Sequence, residues 1–274
     1  MSAGSRHGDE PPSCAVLASA LAIGLVCGGA LGAGEPVGIV NMPDPSGPQS
    51  ELQIARLVFL HGPRDTWGPG RPWWRIDWPE AEAHFGTGVA RYTAIDIASD
   101  SVHLTLLDEA LFDYPWLLAQ QVGRWALSDA ETRRLGEYLA RGGFLVVDDF
   151  HGADQWEVFV EAMERAVPGG RIVDIEADDP LLDILYELDQ RTQIPGRRHL
   201  VGVDPDGEPL VRMPGGPPRW RALRDGEGRL AVAINHNMDM GDAWEHADDP
   251  AYPISMTSLA YRFGINYLVY AMTH

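Results

Sequence analysis

One apolar run with a charged end constrains the fold of this 274-residue chain more than any other feature. Residues 142–152 read Gly-Gly-Phe-Leu-Val-Val-Asp-Asp-Phe-His-Gly, so four consecutive apolar residues lie between a glycine pair and two carboxylates. Such a run is typical of a central strand in a parallel sheet that helices cover on both faces. Ligands of these sheets bind beyond the carboxyl ends of the strands. The run therefore predicts a site that contains Asp148, Asp149 and His151.

The segments around this run complete an α/β pattern. Trp116–Ala119 is a predicted strand, and Ser128 with Glu131 forms a capping box that begins a helix ending at Gly142. Further strands are predicted at 54–60, 102–104, 172–175, 220–223 and 230–235. Further helices are predicted at 77–89, 180–188 and 255–272, and one more contains the apolar positions from Trp156 to Val167. The strand-helix-strand order predicts an α/β domain with a mainly parallel, doubly wound sheet.

A second buried strand, Leu230–Asn235, also runs into polar residues. If the two strands are neighbours in the sheet, their carboxyl ends meet at one edge. We then expect one acidic crevice that binds a ligand through the side chains of both loops. Its predicted residues are Asp148, Asp149, His151, His236, Asn237, Asp239, Asp242, Trp244 and Glu245.

Two kinds of chemistry suit this crevice. Asp149, Asp239, Asp242 and His236 would bind a divalent metal, because carboxylates suit Mg²⁺, Ca²⁺ or Mn²⁺ and a histidine favours Mn²⁺ or Zn²⁺. Alternatively, crowded carboxylates raise one another's pKa, so that one stays protonated and acts as an acid. A structural role competes with both, in which Asp149 caps the following helix and Asp239 ties a tight turn.

Charge and residue content exclude several classes of function. The formal net charge of −19 opposes binding to a nucleic-acid backbone. The chain contains no lysine, which excludes Schiff-base and Walker-type phosphate chemistry. Both cysteines, Cys14 and Cys27, lie near the N-terminus. If that segment is removed, the mature chain has neither a disulfide nor a thiol nucleophile.

The N-terminal residues 1–33 predict a signal peptide. A weakly basic start at Arg6 and His7 precedes an apolar stretch from Cys14 to Leu31, and small residues follow it. We therefore expect export to the periplasm or the extracellular space, with an uncleaved membrane anchor as the alternative. Residues 34–50 are a predicted linker. Residues 51–274 are a predicted single α/β domain with a loop-rich excursion at 191–228.

Several long motifs resemble the bacterial domain of unknown function 4159 family. They are residues 142–152, 236–245 and 264–274, together with Asp77-Trp78-Pro79 and Phe112-Asp113-Tyr114-Pro115. The similarity covers about residues 54–274. It implies a fold similar to class I glutamine amidotransferases and ThuA-like proteins, a flavodoxin-like three-layer sandwich. It also implies envelope partners, because members often occur near MoxR-type ATPases and von Willebrand A proteins.

This sequence departs from the related enzymes at two places. An amidotransferase has a cysteine after the strand where this chain has Asp148 and Asp149, so glutamine hydrolysis by a thiolate is excluded. On the first predicted strand, Arg56 is followed by Leu-Val-Phe-Leu-His, a sparser pattern of Arg and Tyr than relatives have. The resemblance therefore assigns no role to Arg56.

Two functions remain for the predicted crevice. The first is an exported, non-catalytic domain of the envelope that binds a small polar ligand, such as a glycan, or a partner protein. The second is a metal- or carboxylate-assisted hydrolase in which Asp149 or Asp239 acts with His236. Binding is favoured because the sequence offers no nucleophile with an evident base. Carboxylate oxygens that converge from the two loops would favour the hydrolase.

Overall fold

A computed structural model describes residue 1, residues 41–62 and residues 72–274 of the chain. The described residues from 41 onward belong to one compact unit. The predicted signal peptide lies outside the described residues except for Met1, so export stays a prediction. Within the described ranges, no helix is long and apolar enough to span a membrane.

The described ranges contain nine strands and five α-helices. The strands are β1 Ala55–Val58, β2 Val102–Thr105, β3 Trp116–Gln120, β4 Phe144–Phe150, β5 Arg171–Asp174, β6 Leu200–Val203, β7 Pro209–Val211, β8 Arg219–Arg224 and β9 Leu230–His236. The helices are α1 Glu80–Tyr92, α2 Asp129–Ala140, α3 Gly152–Ala166, α4 Met240–Glu245 and α5 Ile254–Thr273.

Seven strands form the central sheet in the order β2-β1-β3-β4-β9-β8-β5, and β6 pairs with β7 in a separate hairpin. Five adjacent strands are parallel to one another: β2, β1, β3, β4 and β9. Strand β8 is antiparallel to both β9 and β5. The mainly parallel α/β sheet is therefore confirmed. Because β4 and β9 are adjacent, their two polar ends lie at the same edge.

Alternate residues of the central strands pack against opposite helical layers, as the pleat of a strand requires. In β3, Trp116 and Leu118 belong to the core that includes α1 and α5. Leu117 and Ala119 belong to the core that includes α2 and α3. Helices thus cover both faces of the sheet, which explains why β4 and β9 are buried along their whole length.

The crossover from β3 to β4 has the local signals that the sequence predicts. Ser128 Oγ accepts from the backbone amide of Glu131 at 3.3 Å, and Glu131 Oε2 accepts from the amide of Ser128 at 2.8 Å. The capping box at the start of α2 is therefore confirmed. Gly142, with φ of 99°, takes the left-handed conformation that lets the chain turn from α2 towards β4.

The prediction of a helix at residues 180–188 is wrong. Only a short 3₁₀ turn forms, at Pro180–Asp183. The Asn266 side chain on α5 accepts from the Tyr186 amide at 2.9 Å and donates to the carbonyls of Leu181 and Tyr186 at 2.8 Å each. These bonds use backbone groups that a helix would need for itself. The predicted excursion at 191–228 contains three strands. Strands β6 and β7 form the separate hairpin, whereas β8 belongs to the main sheet.

Candidate functional site

Polar side chains gather where β3, β4 and β9 end. Gln120 at the end of β3 is paired in register with Asp148 on β4. His236 at the end of β9 is paired with Phe150 on β4. The carboxyl ends of three adjacent parallel strands therefore meet at one edge, which is where open α/β sheets bind their ligands.

Three carboxylates converge at this edge. Asp77, Asp149 and Asp239 each offer an oxygen atom, and these atoms lie within 4.8 Å of one another. The residues come from separate segments, since Asp77 precedes α1, Asp149 lies in β4 and Asp239 follows β9. Asp149 and Asp239 are buried, whereas Asp77 is partly exposed. We call this group the carboxylate triad.

Hydrogen bonds hold Asp149 in a fixed orientation within the triad. Gln121 Nε2 donates to Asp149 Oδ2, and His151 Nε2 lies 2.8 Å from Asp149 Oδ1. Gln121 is itself oriented, because Arg124 Nε donates to its Oε1 at 2.7 Å. His151 occupies the N-cap position directly before α3, and its side chain makes no capping hydrogen bond. Because that capping position belongs to His151, the predicted capping role of Asp149 is wrong.

Asp239 takes part both in the triad and in local structure. Its Oδ1 accepts from the backbone amide of Asp242 at 3.1 Å, so it caps α4. Its Oδ2 lies close to the backbone of Gly196, where an added Cβ would be 2.6 Å from that oxygen and 2.9 Å from Asp242 Oδ2. Only glycine allows the chain at position 196 to approach both carboxylates.

Two buried side-chain oxygens beside the triad have no hydrogen-bond partner among the described residues, and the same is true of Nδ1 of His151. The two oxygens are Asp148 Oδ1 and Gln120 Oε1. The other polar side-chain atoms of Asp148 and Gln120 are occupied, since Asp148 Oδ2 accepts from the Gly241 amide at 2.9 Å and Gln120 Nε2 donates to Asp77 Oδ2 at 3.3 Å. Unpaired buried polar atoms are rare in folded proteins and call for an explanation.

Burial and repulsion between like charges raise the pKa values of several carboxyl groups at this edge of the sheet. Burial, followed by repulsion from Asp149, raises the pKa of Asp239 well above its ordinary value, and the same two causes raise the pKa of Asp77. Burial raises the pKa of Asp148 to about 7. Burial and the neighbouring Asp242 raise the pKa of Glu245 to about 7. Ionised carboxylates at this edge therefore lack sufficient positive charge nearby.

The backbone is unusual at the same edge. Asp77, Gln121, Asp149 and Asn237 have φ between 52° and 62°, and they are the only non-glycine residues with positive φ in the described ranges. This left-handed region is uncommon for residues other than glycine, although Asp and Asn adopt it more often than most. Such residues cluster at functional sites in many proteins, where the surrounding structure maintains them.

A second acidic group adjoins the triad on α4. Asp242, Glu245 and His246 offer ligand atoms that lie within 4.8 Å of one another. His246 Nε2 is 3.3 Å from Asp242 Oδ1 and 3.6 Å from Glu245 Oε2. The spacing of three and four residues places these side chains on one face of the helix. Asp242 therefore lies in this group and not in the triad.

Three residues of the predicted crevice are occupied by internal contacts. His236 packs against both Phe150 and Trp156, with 4.9 Å between ring centroids in each case, and its Nε2 lies 3.1 Å from the Gly152 carbonyl. The structure does not bring this histidine into either acidic group. Trp244 is fully buried and stacks on Phe85 with 4.4 Å between ring centroids.

The third occupied residue is Asn237, whose amide joins two loops. Its Oδ1 accepts from the Gly152 amide at 2.9 Å, and its Nδ2 donates to the carbonyls of Gly215 at 3.0 Å and Pro217 at 2.9 Å. These bonds fix the end of β9 against the start of α3. The ligand-binding role predicted for Asn237, His236 and Trp244 has no direct contact with the triad to support it.

Four residues of the site were missed by reasoning from the sequence: Asp77, Gln120, Gln121 and His246. A signal for Asp77 was present, because it begins the motif Asp77-Trp78-Pro79. The glutamine pair directly follows a predicted parallel strand, which is the position where such sheets carry their sites. The spacing of His246 from Asp242 also indicated one helical face.

Comparison with known proteins supports the family resemblance. A family model described as a domain of unknown function (DUF4159) matches residues 64–272. That range includes every residue of the triad and of the second acidic group. A search of curated proteins found no match.

Proposed function

The chain belongs to the DUF4159 family. From the geometry of its carboxylate triad, we propose that it is an exported envelope domain that binds a small polar ligand through a divalent cation. The cation is held by Asp77, Asp149 and Asp239. The ligand occupies coordination positions that these residues leave open. We favour a binding role, because no serine, threonine or tyrosine hydroxyl is hydrogen-bonded to a triad carboxylate among the described residues.

The convergence of the triad oxygens within 4.8 Å carries this proposal. Like charges at that separation repel one another strongly when they are shielded from water. A divalent cation removes the repulsion and uses the carboxylate oxygens as ligands. The unpaired Asp148 Oδ1 and Gln120 Oε1 provide further buried oxygen acceptors beside the triad.

The donor set favours a hard cation. All three triad residues supply oxygen, which suits Mg²⁺, Ca²⁺ or Mn²⁺. His151 is within hydrogen-bonding distance of Asp149, and this contact stabilises the carboxylate from the outside, as residues behind metal ligands often do. Zn²⁺ is disfavoured because His236 packs against two aromatic rings away from the triad.

The strand order supports a finer assignment of the fold. Five adjacent parallel strands have the order β2-β1-β3-β4-β9, which corresponds to the flavodoxin-like order 2-1-3-4-5 when β9 is counted as the fifth. We therefore propose the flavodoxin-like, class I glutamine amidotransferase-like sandwich. In such a sheet ligands bind where the order reverses, between β1 and β3. Gln120 ends β3 at that place, and Gln121 follows it.

Calorimetric titration tests the cation site. Purified protein lacking residues 1–33 is stripped with chelator and titrated with Mg²⁺, Ca²⁺, Mn²⁺ and Zn²⁺. We expect saturable binding of at least one hard cation, and markedly weaker binding in Asp77→Asn. The control is Asp206→Asn, an exposed aspartate in a turn. If no cation binds to the parent protein, the proposal is wrong.

A metal-assisted hydrolase is the second candidate, and two observations favour it. The oxygens of Asp149 and Asp239 converge from the two loops, as expected for a hydrolase, and His151 is paired with Asp149. A carboxylate at 2.8 Å orients the imidazole as it does in acid-base pairs. A cation would supply an activated water, and His151 would accept its proton. Assays with nitrophenyl phosphate, acetate and glycoside substrates, with and without cation, test this role. Turnover that His151→Gln abolishes without loss of cation binding would support the hydrolase.

Export and envelope partners are part of the same proposal. The apolar segment of residues 14–31 supports export, with a retained membrane anchor as the alternative. The family resemblance supports partners of the MoxR and von Willebrand A types. Fractionation of the native host with mass spectrometry of the mature N-terminus tests the location. An intact Met1 in the cytoplasmic fraction would exclude export.

A further inference from the structure

We propose that Arg56 is the positioning residue that places Asp77 in the carboxylate triad. The inference rests on the proposed cation site and adds a residue that does not itself touch the cation. Asp77 lies in an irregular segment between the 3₁₀ turn Trp73–Arg75 and α1, whereas Asp149 is on β4 and Asp239 caps α4. Something outside its own segment must therefore hold it against Asp149 and Asp239.

Arg56 provides that support through the backbone before Asp77. It lies on β1 and is fully buried. Its Nη1 donates to the Trp74 carbonyl at 3.0 Å and to the Ile76 carbonyl at 2.6 Å. Ile76 directly precedes Asp77, so one guanidinium group fixes the last turn of chain before the carboxylate. Hydrogen bonds from a charged donor are stronger than those from a neutral one.

Arg56 also holds the chain after Asp77. Its Nε donates to Glu82 Oε1 on α1, and the Glu82 side chain is 2 % exposed. The first turn of α1 is tied to Asp77 in turn, because the Ala81 amide donates to the Asp77 carbonyl at 2.9 Å. Arg56 thus contacts both flanks of Asp77. This arrangement maintains the φ of 62° at Asp77, which the residue rarely adopts unsupported.

A purely structural ion pair makes a different prediction. If Arg56 and Glu82 served only stability, replacing both by apolar residues of similar volume would be tolerated, as buried pairs often are. Cation affinity would then not change. If Arg56 positions Asp77, the same replacement leaves the Trp74 and Ile76 carbonyls without their donor. Affinity would fall while the fold persists.

The test is the double variant Arg56→Met with Glu82→Met, compared with the parent protein. The matched control is Arg224→Met with Asp179→Asn, which removes another mostly buried ion pair. Arg224 is in register with Leu230, the first residue of β9, so this pair lies near the edge of the sheet opposite the triad. We expect circular dichroism to show both variants folded. Titration with the cation that the parent binds should show affinity at least 10-fold weaker in the Arg56 variant only.

A double-mutant cycle with Asp77→Asn distinguishes an effect through the position of Asp77 from a general loss of rigidity around the triad. If Arg56 acts through Asp77, the loss from Asp77→Asn should largely disappear in the Arg56 variant, because coupled residues are not additive. Full additivity, or unchanged affinity in the Arg56 variant, would overturn the proposal. The cycle is measured with the same cation throughout.

Hydrogen exchange gives a readout that does not depend on the cation. The amides of Ile76 and Trp78 donate to Trp73 and Arg75 at 3.2 and 3.3 Å, so both are protected when the segment is held. We expect faster exchange at these amides in the Arg56 variant and no change in the control. Unchanged exchange would overturn the positioning role. If the parent binds no cation, the proposed function fails, and exchange still decides whether Arg56 holds this segment.

Discussion

The backbone amide of Gly241 donates a 2.9 Å hydrogen bond to Oδ2 of Asp148. This bond joins the loop after β9 to the end of β4. It explains how acidic residues far apart in the chain come to share one edge of the sheet. The same glycine lies against the triad, since a Cβ added there would be 2.5 Å from Asp77 Oδ2 and closer still to Gln120 Nε2.

Gly241→Ala should therefore disturb the site even though alanine is the better helix former. Helix propensity favours alanine by about 1 kcal/mol at an interior position. The clash with Gln120 and Asp77 costs about 1 to 3 kcal/mol by comparison with overpacked cores. We expect net destabilisation in urea unfolding and weaker cation binding.

The control for this change is Gly226→Ala, where no atom lies within 4 Å of the added Cβ. It should leave both stability and cation binding close to those of the parent. Equal behaviour of the two alanine variants would show that Gly241 is not packed against the site.

Phe159 on α3 should be essential to the core. The sequence predicts an apolar face of Trp156, Phe159, Val160 and Met163. The structure buries Phe159 and Met163, whereas Trp156 and Val160 are partly buried against the same core. Phe159→Ala removes contacts with Phe150 at 5.2 Å and Trp125 at 6.0 Å between ring centroids. We expect a loss of about 3 to 5 kcal/mol in the free energy of unfolding.

Glu157→Ala is the control for this helix, because Glu157 is exposed two residues earlier. Its effect should stay within about 0.5 kcal/mol. A melting temperature of Phe159→Ala equal to that of the parent would mean that this face of α3 is not part of the core.

Stability should depend on pH through His236. Burial lowers the pKa of His236 to about 4, below the ordinary 6.5. Between these values the unfolded chain binds a proton and the folded chain does not. This contribution to stability is complete above pH 6.5 and is lost as the pH falls towards 4. The loss is on the order of 3 kcal/mol, from 1.36 kcal/mol per pKa unit.

The variant His236→Gln isolates this effect from the carboxylates, whose raised pKa values give the opposite slope. The difference in unfolding free energy between parent and variant should shrink from pH 7 to pH 4. His274→Gln, at the exposed end of α5, is the matched control. A constant difference for His236→Gln would show that His236 titrates alike in both states.

The strands that carry the site were predictable because their signals are local. The apolar runs of β4 and β9 lie next to polar residues, and the capping box of α2 needs only four residues. Their adjacency in the sheet followed from no local signal. The other neighbour of β9 is β8, which arises from a segment where the sequence predicts one strand within an irregular excursion.

Asp77 shows where reasoning from the sequence fails in physical terms. Asp77 lies two positions before Pro79, and this pattern indicates the start of a helix, because carboxylates favour its positive end. Its entry into the triad depends instead on Arg56, which lies 21 positions earlier on a buried strand. No periodicity links the two residues. The same holds for His236, whose packing against Phe150 and Trp156 arises from tertiary contacts alone.

Cation binding at the triad is tested most directly by thermal melts of the parent, Asp149→Asn and Asp239→Asn, with chelator and with Mg²⁺, Ca²⁺, Mn²⁺ or Zn²⁺. Without cation, both variants should melt at or above the parent temperature, because each removes a repelling charge. Cation at 100 times its dissociation constant should stabilise the parent by about 2.7 kcal/mol and neither variant. Asp206→Asn should respond as the parent does. Destabilised variants together with a parent that responds to no cation would contradict the proposal and assign the triad to architecture.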